Sequence, residues 1–327
     1  MNCRIYRERI CLISALVLAV IALAASLLVG RYPISWEMLW EDSMDRRVFL
    51  TLRLPRSCMG LLAGFALGTA GSVYQTVFQN PLASPDIIGV SSGASVGAAA
   101  AILFLGGGIL TTAVSAFAGG MAAAMIVLAL SGLSRRQGIT GIVLSGIAVS
   151  ALAQSLLMLM KLTADPERQL AAIEFWTMGS LADMTLEKFR GVAVWVALGC
   201  CGLFLLRRQI LLLGLGESEA RTLGVQVGAM RCLVLLLATL ATGAVVSVTG
   251  LIAFVGLLAP HIARLLTRSS RFSTTVLSGL IGGCLLLLAD VLARSIGSAE
   301  IPVSIVTSLL GAPFLFLLLY RKGDAYG

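Results

Sequence analysis

The sequence is dominated by long apolar runs that contain no charged side chain. The first run extends from Ile10 to Gly30, and about 20 apolar residues suffice to cross the roughly 30 Å of hydrocarbon in a bilayer. Hydrophobic residues make up 58% of the chain and charged residues 12%, whereas a soluble chain carries about 25% charged residues. So little polar surface would not cover a soluble core of this size, and the chain is therefore predicted to fold in a membrane.

Ten such runs predict an all-α polytopic membrane protein with about ten transmembrane helices. To within a few residues, the spans are placed at 10–30, 57–79, 87–106, 109–133, 138–160, 190–206, 229–249, 251–267, 273–293 and 303–320. Arginines precede the first run, which is also a feature of secretory signal peptides. That run is longer than the about 7–15 residues of a signal-peptide core, so we expect an uncleaved span. Residues 1–327 are treated as a single membrane domain.

The distribution of charge predicts the orientation. With ten spans both termini lie on one side, and more than half of the 24 Lys and Arg residues lie there too. The positive-inside rule then places both termini in the cytoplasm. We interpret the formal net charge of +8 as this inner-face excess, which attracts anionic membrane lipid. No nucleic-acid partner is expected.

Glycines recur at one-turn spacing within several spans. Such stripes allow helix backbones to approach closely where lipid provides no hydrophobic force between helices. We therefore expect a tightly packed bundle. The stripes comprise Gly60, Gly64 and Gly68, then Gly89, Gly93 and Gly97, and the pair Gly279 and Gly283.

The sequence offers little support for catalysis or metal binding. The segment Gly89–Gly93 matches the G-x-S-x-G pattern of serine hydrolases, but His261 is the only histidine available as a base. We interpret this segment as a glycine-rich helix start. The seven cysteines form no C-x-x-C motif and are expected to behave as small apolar residues. We expect neither an enzyme nor a metal site.

The energy source for transport is not encoded in the chain. No phosphate-binding G-x-x-x-x-G-K-[ST] motif is present, and none of the three lysines follows a glycine. Asp290 is the one clear acid within a span. Arg294 follows it by four residues, which places both on one helix face and predicts a local ion pair. A proton-coupled secondary transporter using Asp290 is the alternative function.

A short helix is predicted in the inner hydrophilic stretch at 207–228. Glu217 and Glu219 stand in its first turn, Arg221 follows, and Gly224 occupies the position of a helix-terminating glycine. A helix of this kind is not needed merely to connect two spans. It suits a docking surface for a soluble partner, and a helix lying on the membrane surface is the alternative.

Several short motifs follow one another along the chain. The most specific stretch is Gly250–Arg264. The others are Arg53-Leu-Pro-Arg56, Gln75–Asp86 with the following Gly89–Ala94, Trp176–Leu181, Leu215–Gly224, Glu300–Pro302 and Gly311–Phe314. In this order they resemble the motifs of the permease subunits of binding-protein-dependent ABC importers for iron-siderophores, haem and cobalamin, and the resemblance covers nearly the whole chain.

The resemblance implies a type II ABC importer permease with a bundle similar to that of the cobalamin importer. In that family two ten-span subunits, identical or homologous, form a dimer in the bacterial inner membrane. Separate ATPase subunits bind ATP and Mg²⁺, so no cofactor is expected in this chain. An extracytoplasmic substrate-binding protein delivers the metal chelate.

The resemblance also implies roles for individual residues. Binding-protein docking is expected at Arg53, Arg56 and Arg294. ATPase coupling is expected at Gly216, Glu217, Glu219, Ala220, Arg221 and Gly224. Pathway or gate positions that match the family motifs are Gln75, Asn80, Pro81, Ser84, Pro85, Gly89, Thr140, Gly256, Pro260 and His261. His261 is expected to help pack its span rather than to bind iron.

Two departures from the family pattern are visible. The loop after the eighth span reads Ser269-Ser-Arg271-Phe272 where Asp-His-Arg and Leu-Pro are usual, which leaves the details of this loop open. Ser304 stands where the family carries a glycine near the tenth span. This second departure is expected to affect only local helix packing.

Overall fold

The computed structural model describes residues 2–30, 32, 44–133, 138–269, 271–296 and 300–323. Over these residues the regular structure is helical. The α-helices are α1 (Asn2–Leu28), α2 (Met44–Val48), α3 (Leu54–Val77), α4 (Val90–Phe104), α5 (Ile109–Leu133), α6 (Ile139–Thr163), α7 (Ala171–Met178), α8 (Leu186–Leu205), α9 (Arg207–Leu213), α10 (Glu217–Thr222), α11 (Val227–Thr249), α12 (Val255–Thr267), α13 (Phe272–Ser295) and α14 (Val303–Gly323).

Ten apolar helices correspond one to one with the ten predicted spans. By length and composition, seven helices of the described chain could cross a membrane. Three shorter apolar helices occupy the remaining positions, at Val90–Phe104, Val255–Thr267 and Val303–Phe316. The predicted all-α bundle of about ten helices is therefore confirmed.

The second span begins earlier than predicted. A continuous helix of 34 residues runs from Met44 to Val77 and includes one π-helical turn at Phe49–Arg53. The apolar pattern predicted a start at residue 57 because four arginines interrupt it, namely Arg46, Arg47, Arg53 and Arg56. The helix continues through these arginines, because hydropathy marks where the apolar stretch ends and not where the helix ends.

Helix α3 lies at the centre of the bundle. Of its most apolar window 78% is buried, against 17% for α6, whose surface is left to lipid or to a partner. Helices α13, α12, α11 and α1 pack around α3, while α4, α5 and α6 form a neighbouring group that joins the rest through α11. Among the seven longer spans of the described chain, the least apolar one, Met44–Val77, is thus the most buried, and the most apolar one, Tyr6–Leu28, is only 22% buried, as expected when lipid is the solvent.

The glycine stripes lie at close helix crossings. A Cβ atom added to Gly64 would lie 2.2 Å from the carbonyl oxygen of Gly282, so α3 and α13 are in backbone contact. A Cβ atom on Gly93 would lie 2.5 Å from the carbonyl oxygen of Gly119, where α4 crosses α5. The prediction of close helix approach is confirmed at both crossings.

Helix α1 packs as one span of this bundle. It lies against α13, and near its start Arg7 Nε donates a hydrogen bond of 2.8 Å to the carbonyl oxygen of Leu266, in the last turn of α12. That carbonyl has no partner within its own helix. The contact fixes the inner end of α1 to the rest of the chain.

Replacing Gly64 with alanine tests the α3–α13 contact. Gly64→Ala is expected to lower the free energy of unfolding by about 1–3 kcal/mol, because the added methyl group forces two backbones apart. Gly191→Ala in α8 is the matched control, since nothing lies within 4 Å of the added Cβ atom. Thermal unfolding of both variants in detergent measures the difference. Equal melting temperatures for Gly64→Ala and the unchanged protein would contradict the proposed contact.

Candidate functional site

A buried ion cluster occupies the predicted outer end of the bundle. Asp290 of α13 is 1% exposed and lies 2.9 Å from Arg56 of α3 and 3.5 Å from Arg294. The predicted pairing of Asp290 with Arg294 is confirmed. Arg56 also pairs with Glu300 at 3.0 Å, and Glu300 is 35% exposed. The cluster therefore reaches from a buried carboxylate to the protein surface.

The other two arginines of this region bind the end of α1. Arg294 Nη2 donates hydrogen bonds of 2.8 Å to both the carbonyl oxygen and the hydroxyl of Ser26. Arg53 Nη1 donates to the carbonyl oxygens of Leu27 and Leu28 at 3.0 and 3.1 Å, and its Nη2 donates to that of Tyr32. Cations are stabilising at a helix C-terminus, where carbonyl groups lack intrahelical partners.

These contacts bear on the arginines that were predicted to dock a binding protein. Arg53 and Arg294 are buried, and the side chain of Arg56 is 12% exposed. All three arginines make contacts that hold the bundle together. Of these contacts, the sequence predicted only the pairing of Arg294 with Asp290. Their role in docking stays a prediction, and Arg56 is the one nearest the surface.

The predicted inner helix is present as α10. It is followed by Gly224 with a φ of 80°, the left-handed conformation of a helix-terminating glycine. Ala220 is fully buried in the same apolar cluster as Ile210 of α9 and Val227 of α11. One face of α10 is therefore packed against the bundle, in agreement with a defined helix within 207–228.

The two glutamates of α10 have different environments. Glu217 accepts hydrogen bonds from Arg231 at 3.1 Å and from Arg221 at 2.6 Å, and the bond from Arg231 holds the pKa of Glu217 below its ordinary value. Glu219 is exposed. Leu215 and Leu223, just outside α10, are 58% and 57% exposed. We call Leu215, Glu219 and Leu223 the α10 surface. Its two leucines belong to the matched motif Leu215–Gly224, but they were not among the residues assigned a coupling role.

Two interruptions of helical structure face each other within the bundle. The first separates α3 from α4 and contains a 3₁₀ turn at Pro85–Ile88. The second separates α11 from α12 and ends at Phe254, which adopts a φ of 66°. Together they line a cavity of about 200 Å³, to which Ser84 and Gly256 contribute. Non-helical backbone at membrane depth is tolerated where it lines a cavity or is buried in protein.

The backbone of the second interruption finds hydrogen bonds outside its own helices. The carbonyl oxygen of Thr249 accepts from the amide of Ser180 at 2.7 Å. The amide of Ala253 donates to the hydroxyl of Ser304 at 3.3 Å. Ser304 was expected to affect only helix packing, but it supplies an acceptor that the family glycine lacks.

The predicted pathway residues separate into distinct places. Ser84, Pro85 and Gly256 line the 200 Å³ cavity. Gln75 is buried and lines a different cavity at the predicted cytoplasmic end, and it donates to the carbonyl oxygen of Leu257, which lines the 200 Å³ cavity, at 3.3 Å. Gly89, with a φ of 74°, is the N-cap residue of α4. The remaining positions do not line the 200 Å³ cavity: Asn80, Pro81 and Thr140 are exposed, and Pro260 and His261 lie within α12.

The G-x-S-x-G match forms a helix start, as predicted. Helix α4 begins at Val90, and the hydroxyl of Ser91 donates to the carboxylate of Asp86. Among the residues that the structure describes, no group of three or more His, Cys, Asp or Glu side chains could hold a metal ion. The site is therefore assembled from backbone interruptions, hydroxyl groups and structural arginines.

Comparison with known proteins identifies the family. Residues 17–321 match the FecCD transport family. The chain belongs to this family. It is 36% identical to the hemin transport system permease protein of Yersinia pestis, with 99% of each chain covered, and 35% identical to the molybdate import system permease protein of Haemophilus influenzae, with 93% of each covered. A solved metal-chelate type ABC transporter in an inward-facing conformation matches with a TM-score of 0.86 and 35% identity, covering 96% of this chain and 99% of that one.

Membership settles the broad assignment that the sequence predicted. Relatives in the FecCD family are named as permease proteins of import systems, not as enzymes. The chain is therefore a multi-pass permease subunit of the bacterial inner membrane. A more distant structure, PsaBC from Streptococcus pneumoniae, has 19% identity and a TM-score of 0.52 and supports the fold alone.

Neutralising Asp290 tests the buried ion cluster. Asp290→Asn is expected to lower the free energy of unfolding by about 3–5 kcal/mol, because the buried Arg294 and the mostly buried Arg56 lose their shared counter-charge. Glu300→Gln is the matched control, and its loss at the partly exposed rim is expected to be about 1 kcal/mol or less. Thermal unfolding in detergent measures both. A similar small loss for the two variants would contradict the conclusion that the ion cluster holds the outer ends of the helices together.

Proposed function

We propose that this permease imports a metal chelate of the iron-siderophore, haem or cobalamin class, driven by ATP. The observation that carries the proposal is the match along nearly the whole chain to a metal-chelate type ABC transporter at 35% identity. The hemin permease of Yersinia pestis supports the same class of cargo. The molybdate permease favours an oxyanion as the second candidate cargo.

The contacts of Asp290 favour ATP over a proton gradient as the energy source. A proton-coupled carrier would need an acid that changes its charge within the spans. Asp290 is the acid that a proton-coupled carrier would require here, and it is held between Arg56 and Arg294 in the buried ion cluster. The sequence also carries no phosphate-binding lysine motif. A separate ATPase subunit is the partner that supplies ATP hydrolysis in this proposal.

The α10 surface is the proposed docking site for that ATPase. Its two leucines expose apolar area in a loop on the predicted cytoplasmic side, and Glu219 adds an exposed charge between them. Aromatic and aliphatic anchors with a polar rim are typical of protein interfaces. Gly216, Glu217, Ala220, Arg221 and Gly224 would then shape the helix rather than make most of the contacts.

The outer ends of α1, α3 and α13 form the proposed docking face for a substrate-binding protein. Arg56 and Glu300 form its accessible charged edge, since both are partly exposed. Arg53 and Arg294 support that face from inside through their bonds to the end of α1. A second permease copy, identical or homologous, would complete the pathway as a dimer.

Transport into sealed vesicles tests the proposed function. Vesicles that contain the permease, its ATPase and its binding protein are expected to accumulate a ferric siderophore, haem or cobalamin only when ATP is supplied on the ATPase side. Molybdate tested in parallel distinguishes the oxyanion candidate. Uptake that continues without ATP but collapses with the proton gradient would instead support the secondary transporter.

Changing the α10 surface tests ATPase docking. The double variant Glu219→Lys with Leu223→Ser is expected to weaken retention of the ATPase by about tenfold, since exposed contact residues are changed without touching the Glu217–Arg231 pair. Glu187→Lys, an exposed glutamate in the first turn of α8, is the control on the opposite side. Quantitative pull-down measures both. Retention of the ATPase unchanged by the double variant would place the docking site elsewhere.

A further inference from the structure

A cavity of about 630 Å³ lies at the predicted cytoplasmic end of the bundle. It is lined by the last turns of α3 and α12, by α9 with the loop that follows it, and by the start of α13. Two arginines, Arg264 and Arg271, line it together with hydroxyl and amide groups, and none of the described lining residues is acidic. The cavity is therefore positively charged.

Arg264 is the charge that most needs a partner here. Its Nη2 atom is buried, and among the described residues none accepts a hydrogen bond from it. The Arg264 side chain is partly buried, and a buried N–H group that donates no hydrogen bond is unfavourable. An anion bound in the cavity would provide that partner, with the charge-assisted hydrogen bonds that guanidinium forms with phosphate.

The second arginine stands at the rim. Arg271 is 50% exposed, and its Nη1 lies 3.6 Å from Glu8 of α1. Glu8 also accepts a hydrogen bond of 2.9 Å from the hydroxyl of Ser273. Part of the rim charge is thus balanced by Glu8, so Arg264 provides most of the anion-binding capacity of the cavity.

Hydroxyl groups also line the wall. The hydroxyls of Ser72 and Thr275 are hydrogen-bonded to each other at 3.0 Å, across the contact between α3 and α13, so only one of their two protons is available to a ligand. Ser269 and Thr274 line the same cavity, and the Thr274 hydroxyl already donates to the carbonyl oxygen of Ser269 at 3.1 Å. A volume of several hundred Å³ is typical of sites for small molecules, and guanidinium groups with hydroxyl donors are suited to phosphate oxygens.

We propose that this cavity binds the phosphate group of an anionic phospholipid from the cytoplasmic leaflet. That leaflet is rich in anionic lipid, and basic pockets between spans on the cytoplasmic side are suited to lipid headgroups. Gly214 and Leu215 line the cavity, and only Gly216 separates them from α10. The bound headgroup would thus lie beside Leu215 of the α10 surface and help to hold this segment against the bundle. The lipid site does not depend on the identity of the cargo or of the ATPase.

Native mass spectrometry of the full chain in detergent tests the proposal. Phosphatidylglycerol and phosphatidylcholine with matched acyl chains serve as probes, and retention of phosphatidylglycerol is expected to be the greater. Arg264→Gln is expected to lower that retention by about fivefold or more. Arg208→Gln is the control, since Arg208 of α9 is exposed and does not line the cavity. Equal retention by wild type and Arg264→Gln, or an equal loss in Arg208→Gln, overturns the proposal.

Two further measurements separate a lost charge from lost packing and identify the source of the phosphate. Arg264→Lys keeps the charge and is expected to keep most of the phosphatidylglycerol retention, whereas a loss as large as that of Arg264→Gln overturns the proposal. Excess inorganic phosphate is expected to leave phosphatidylglycerol bound. Full displacement by inorganic phosphate would assign the cavity to the free anion and overturn the lipid assignment.

Discussion

The buried carboxylate of Asp290 is the interaction on which the outer half of this permease depends. It balances Arg56 of α3 and Arg294 of its own helix α13, and Arg294 in turn binds the last turn of α1 through Ser26. An unpaired charge within the hydrocarbon costs several kcal/mol. The outer ends of these three helices therefore cannot separate without leaving charge unbalanced in an apolar medium.

Within the membrane, backbone contact between α3 and α13 adds to the ion cluster in holding these helices together. Lipid tails are as apolar as leucine, so helices in a bilayer associate through close packing rather than through a hydrophobic force. Gly64 and Gly68 bring α3 within reach of the α13 backbone at Gly282 and Ser278. The α3–α13 pair is thus held by charge at one end and by close contact along its length. It forms the rigid part of the fold, against which the interrupted helices are placed.

Features set by local helix geometry could be predicted from the sequence, and features set by packing could not. The spacing of Asp290 and Arg294 predicted their pairing, and Gly224 marked the end of α10, because both follow from residues within one or two turns. Arg56 is 234 positions from Asp290, and no periodicity relates them. The early start of the helix at Met44 was missed for a related reason, since hydropathy reports on solvent rather than on backbone structure.

The two glutamates of α10 show the same difference between local sequence features and packing. Sequence placed Glu217 and Glu219 in one docking role, whereas Glu217 ties α10 to α11 through Arg231 and only Glu219 faces outward. Hydrogen bonding lowers the pKa of Glu217, so the stability from this tie is complete above the ordinary carboxyl pKa and is lost as pH falls through the lowered value. At neutral pH this contact therefore ties α10 to α11, whose far end borders the interruption ending at Phe254. One helix thus connects the α10 surface with the 200 Å³ cavity.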